Sequence, residues 1–126
     1  MLTDDEFVQA FETASLPASE FNHAAHVRAG WWYLQHHPIG VAIDRFSRSL
    51  RAFADASGAS GKYHETMTIV WMLLIAERLG AAGDLEWPAF AARHPELFDK
   101  QIVLRYYSSA TLDSERARRG FMMPDR

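Results

Sequence analysis

Gly40-Val41-Ala42-Ile43-Asp44-Arg45-Phe46-Ser47-Arg48-Ser49-Leu50-Arg51-Ala52-Phe53-Ala54-Asp55-Ala56-Ser57-Gly58 carries Ile43, Phe46, Leu50 and Phe53 at three- and four-residue spacing. That period puts the four on one stripe of a helix and leaves Arg45, Arg48 and Arg51 largely off it. The segment predicts one uninterrupted helix, the third, over about residues 40–57, with Gly58 as its C-cap. If it is one element with short links on both sides, its neighbours before and after must run the opposite way.

Working outward, Thr3-Asp4-Asp5-Glu6 is a capping box with Leu2 and Phe7 placed as its staple. A first helix then runs to Ala14, and Leu16-Pro17 ends it. Asn22 is a good N-cap for a second helix to about His36, closed by Pro38. Its middle, Trp31-Trp32-Tyr33-Leu34, is apolar on every side, as suits a central or subunit-contacting helix. Beyond the loop Gly58-Ala59-Ser60-Gly61, a fourth helix spans about His64 to Leu79. It turns Met67, Val70, Trp71, Leu74 and Ile75 inward and ends at Gly80. After a loop with Gly83, one or two helices cover about 87–107, broken near His94-Pro95, and a basic turn follows from Ser114 to Arg119. No stretch alternates with the period of a strand. The expected fold is all-α: a single compact antiparallel bundle of about five to six helices, in one domain over residues 1–126.

The net charge is -3, from 13 basic and 16 acidic residues, which gives no basic stripe for nucleic acid or a membrane surface. No apolar run approaches the roughly 20 residues of a membrane span. The acidic start is unlike that of a signal peptide. With no cysteine there is neither a disulfide framework nor a thiolate site. The expectation is a soluble cytoplasmic protein.

Two histidine clusters stand where helices begin: Asn22-His23-Ala24-Ala25-His26, and Lys62-Tyr63-His64-Glu65-Thr66-Met67-Thr68. In the antiparallel arrangement the starts of helices two and four fall at one end of the bundle. The last long helix would return Arg105, Tyr106, Tyr107 and Ser108 to the same end. His23 and His26, three residues apart, can aim at one point, and His64 and Glu65 complete a mononuclear metal site with an open position. Zinc, iron, manganese and nickel all fit such donors. His23, His26 and His64 are then the metal ligands, and His64 and Glu65 the acid and base groups.

Three other readings stay open. Two helix N-termini can bind an anion without metal, with Lys62, Thr66, Tyr106 and Arg118 as substrate contacts and His64 or His26 as general base. The same residues can serve only as helix caps, since Asn22, His64 and Thr66 all suit helix starts. Or the tryptophan-rich surface is an interaction module that mates with another protein or a second copy. The ligand expected in the first two is a small polar or anionic molecule. Whether the chain is an enzyme stays open.

The residues Leu16-Pro17, Asn22 through Arg28, Gly61 through Thr68 with Trp71, Tyr106-Tyr107-Ser108, Leu112, Ser114, Ala117-Arg118 and Phe121 through Asp125 run in order along nearly the whole chain. Together they resemble a family of small all-helical bacterial proteins of unassigned function. The resemblance implies that His23, His26, His64, Glu65, Ser114 and Arg118 occupy its motif positions, and adds Ser114 to the expected substrate contacts.

Overall fold

Thr3 and Glu6 bond each other's backbone amides at 3.1 and 2.9 Å, and this capping box starts α1 (Asp4–Glu12). The computed structural model describes residues 2–82 and 85–126, and among these the regular structure is helical with no strand. The protein is all-α. It divides into two units, Met1–Tyr63 and His64–Arg126.

In the N-terminal unit α1 is followed by a 3-10 turn (Ala18–Glu20), α2 (His23–His36), α3 (Ile39–Ala56) and a second 3-10 turn (Ser60–Lys62). Only His37 and Pro38 separate α2 from α3, so the two pack as an antiparallel pair. The core is aromatic. Phe11 is fully buried, stacks on Phe21 at 4.7 Å between ring centres, and meets Phe46 and Phe53 at a tilt. Acidic residues of α1 hold α2 in register. Asp4 pairs with Arg28 at 2.6 Å, Asp5 accepts from the Trp32 indole at 2.9 Å, and Glu12 accepts from the Tyr33 hydroxyl at 2.5 Å.

Both α1 and α3 end in the same backbone device. In α3, Gly58 at φ 70 lets its amide reach Asp55 and that of Ala59 reach Ala54, which makes Ser57 the C-cap and Gly58 the residue just past it. In α1 the corresponding bonds run from Ala14 to Phe11 and from Ser15 to Ala10, but the left-handed residue is Ala14 at φ 57. The sequence offered no sign of this turn at an alanine.

The C-terminal unit holds α4 (Glu65–Ala82), α5 (Trp87–Arg93), 3-10 turns over Pro95–Phe98 and Lys100–Arg105, and two short helices, α6 (Ser109–Leu112) and α7 (Glu115–Arg119). Two expectations are corrected here. The fourth helix runs through Gly80 to Ala82, because an interior glycine costs a helix only about 1 kcal/mol and does not stop it. The expected loop residue Gly83 lies outside the described residues. Of the one or two helices expected over about 87–107, the first is α5, which ends at the expected break near His94-Pro95, and no α-helix continues from there to 107. Pro95 has no amide to give it, and the Asp99 side chain takes the amide of Gln101 at 3.0 Å, so tight 3-10 turns replace it. Arg78 of α4 binds Glu96 at 2.6 Å and so fixes the first of these turns. Among the described residues no helix is long and apolar enough to cross a membrane.

An L-residue in the left-handed region is strained by about 1–2 kcal/mol, against roughly 0.5–1 kcal/mol of extra chain entropy for glycine. Ala14→Gly should therefore stabilise the protein by up to about 1 kcal/mol, raising the melting temperature by about 2–4 °C. A loss of stability in urea unfolding would contradict the left-handed turn at Ala14.

Candidate functional site

Asn22 starts α2 by accepting from the Ala25 amide at 2.9 Å, which frees the first turn to present His23 and His26 three residues apart. Their ring centres lie 6.3 Å from each other. His26 lies against aromatic rings, with Phe21 at 6.0 Å and Phe46 at 5.1 Å. The residue reaches the surface in part, but its Nε2 is buried and has no hydrogen-bond partner among the described residues. Burial first, and then the neighbouring His23, lower its pKa to about 4. At neutral pH His26 is an uncharged imidazole with an unanswered polar edge.

His64 is arranged differently. It is the residue before α4, and its Nδ1 accepts from the Met67 amide at 3.1 Å, the geometry of an N-cap. A nitrogen that accepts is unprotonated, so the proton sits on Nε2, which donates to the Leu112 carbonyl at 2.7 Å. Both nitrogens are engaged, and a role as metal ligand or base would need one of these bonds to open. Glu65 is the half-buried first residue of α4, where a carboxylate suits the helix dipole.

Thr66 is wholly buried. Its hydroxyl donates to the Gly120 carbonyl at 2.9 Å and accepts from the Met122 amide at 3.1 Å. Ser114 caps α7 by accepting from the Ala117 amide at 3.2 Å and donates to Thr111 at 2.6 Å. Its hydroxyl also lies 3.9 Å from the Met122 sulfur, so Thr66 and Ser114 meet on one residue of the tail. Tyr107, buried, donates to the Met122 carbonyl at 2.6 Å, while Tyr106 is half-buried and its carbonyl takes the Arg126 amide at 3.0 Å. Arg118 lies 3.7 Å from Glu115 on the same helix. In the N-terminal unit Lys62 is exposed at the end of its 3-10 turn, and the Arg51 guanidinium stands over the Tyr63 ring at 4.8 Å.

Among the expected contacts, then, the structure joins His23 with His26, and Thr66 with Ser114. Sequence reasoning missed three polar groups. Asp125 takes the Ser108 amide and the Ser108 and Thr111 hydroxyls at 2.7–2.8 Å, bonds that hold its carboxyl at about 2. Tyr33 is buried against Glu12, and its pKa is raised by that burial and then by Glu12. His94 lies 3.4 Å from Glu96 through Nδ1, and its buried Nε2 has no hydrogen-bond partner among the described residues. In the sequence Asp125 lay in the stretch that carries the resemblance, Tyr33 read as apolar core, and His94 read as a helix break.

The tryptophans of the interaction reading differ in burial. Trp31 and Trp71 are buried, and Trp32 is half-buried with its ring stacked on His36 at 4.0 Å. Among the described residues no three or more His, Asp or Glu side chains are gathered so as to hold a metal ion. Comparison with protein-family models, curated proteins and solved structures finds no match for the chain.

Two predictions follow from these environments. His26 is unprotonated when folded down to about pH 4 but protonates near its ordinary value of 6.5 when unfolded. Between those values the unfolded chain binds the extra proton, so stability falls as pH drops, by at most about 1.4 kcal/mol per pH unit from this group. Urea unfolding at pH 7, 5.5 and 4.5 should show a steeper loss for the wild type than for His26→Phe, and equal slopes would refute the buried neutral state. His64→Ala should cost about 2 kcal/mol through the lost cap and the Leu112 bond. His64→Asn, which can still cap, should lose about half of that in the same assay. Equal losses for the two would show that the cap is not what His64 contributes.

Proposed function

We propose that the chain binds a small polar ligand at the first turn of α2, with the imidazole edge of His26 as the recognition group. The buried, unpartnered Nε2 of His26 carries this reading. A buried polar atom without a partner costs about 1–3 kcal/mol, and folded proteins retain few of them. Here the loss is avoidable, because Phe21, Phe46 and Phe11 would accept another phenyl ring in the same cluster. A ligand that hydrogen-bonds or coordinates this nitrogen supplies the missing partner. His23 is half-buried beside His26.

Binding fits this edge better than acid–base catalysis. A base works best with a pKa near the working pH, and His26 is held at about 4. What such a group offers at neutral pH is a fixed lone pair or a fixed N–H. Its first discrimination is between polar ligands and apolar ones of the same shape, since only the former satisfy the nitrogen.

The test is His26→Phe. The substitution should raise stability by about 1 kcal/mol, because it removes the unsatisfied atom and extends the aromatic cluster, and it should abolish ligand-induced thermal stabilisation in a screen of small polar metabolites. A clear fall in melting temperature for His26→Phe would mean that the nitrogen is already satisfied in the folded protein, and the reading would fail.

A further inference from the structure

We propose that the ligand at the start of α2 is a divalent transition-metal ion held jointly by His23 and His26. This rests on the ligand-site reading above and gives that ligand a chemical class. Two imidazoles that share one ion at about 2.0–2.1 Å per nitrogen bring their ring centres to roughly 5–6.5 Å, depending on the angle at the metal. The rings of His23 and His26 are 6.3 Å apart, at the upper end of that range, so side-chain rotation has to bring them closer for a tetrahedral angle at the ion. The spacing of three along one helix supports the same arrangement, since it brings both rings to one face.

The donor set defines the ion. Two imidazole donors favour copper, nickel, zinc or iron over magnesium and calcium, which take oxygen donors. Asn22 is not a further ligand while its side-chain oxygen caps Ala25. Because the described residues gather no three His, Asp or Glu side chains for a metal, this pair is a two-donor clip. Water or a chelating metabolite fills the remaining positions, so the ion is exchangeable and open to substrate. The positive end of α2 weakens its hold further. Affinity should therefore be moderate and follow the intrinsic order of the metals, copper above nickel and zinc, with manganese far weaker.

The experiment is titration of chelator-treated, untagged protein with Cu(II), Ni(II), Zn(II) and Mn(II), followed by calorimetry, with nitrogen coupling read from the Cu(II) paramagnetic resonance spectrum. One ion per chain with two imidazole nitrogens is expected, in that order of affinity. His23→Ala and His26→Phe should each weaken Ni(II) binding by about tenfold or more, as loss of one of two protein donors requires. The control is His36→Ala combined with His37→Ala, because these adjacent histidines at the far end of α2 are the obvious competing site. Binding that survives in His23→Ala and His26→Phe, or disappears only in the His36 and His37 double variant, overturns the proposal. Absence of metal binding in the wild type, with His26→Phe still more stable, overturns the metal and leaves the ligand-site reading standing.

Discussion

Three helices of the N-terminal unit meet on the ring of Phe46. It is fully buried and touches Phe11 of α1 at 5.9 Å and both His26 and Tyr33 of α2 at 5.1 and 5.7 Å. Aromatic contacts of this kind bury large areas without satisfying any polar atom. Each polar group drawn into the cluster must therefore find its own partner or go without. Tyr33 has Glu12 and Ser49 on its hydroxyl. His26, against the same ring, has none for Nε2 among the described residues. The packing that fixes α2 against α3 also creates the desolvated imidazole.

The C-terminal unit is organised by the opposite principle. Around Thr66 the hydrogen bonds among the described residues largely serve the tail. Thr66 and Tyr107 hold Met122, Ser108 and Thr111 hold Asp125, and the Leu104 and Tyr106 carbonyls hold Arg126. A network of this kind specifies one course for the chain. His64 and Thr66 stood out in the sequence as part of a cluster at a helix start, and Ser114 through the resemblance. In the fold each makes structural hydrogen bonds.

What the sequence made legible was local. The capping box at Thr3, the Asn22 cap and the glycine past the end of α3 each need only a few adjacent residues, and each was found where it was expected. The stripe of Ile43, Phe46, Leu50 and Phe53 gave α3 almost to the residue because it is a pure period. The failures depend on distant or competing interactions. The bond of His64 to Leu112, 48 positions away, was not legible in the sequence. The stretch Pro95–Arg105 was expected to be helical beyond a break at His94-Pro95, yet Pro95 and Asp99 decide the backbone. No periodicity argument weighs a missing amide against an apolar face. His23 and His26 were legible as a pair, but the unmet nitrogen was not, since it depends on which rings close around it.

Local and global preferences agree through most of the chain, so the exceptions carry information. Ala14 is one, a left-handed alanine where glycine would serve, but it is an exposed turn with no reactive group. His94 is another, with a buried nitrogen left over. Its Nδ1 faces Glu96, which Arg78 in turn holds, so the ring has a structural reason to be where it is. His26 has no such anchor. No hydrogen bond orients its buried edge, phenylalanine would suit its aromatic neighbours better, and a second imidazole stands beside it in place of a carboxylate or carbonyl. Packing alone gives no reason for a histidine at that position, whereas a partner for its nitrogen gives one.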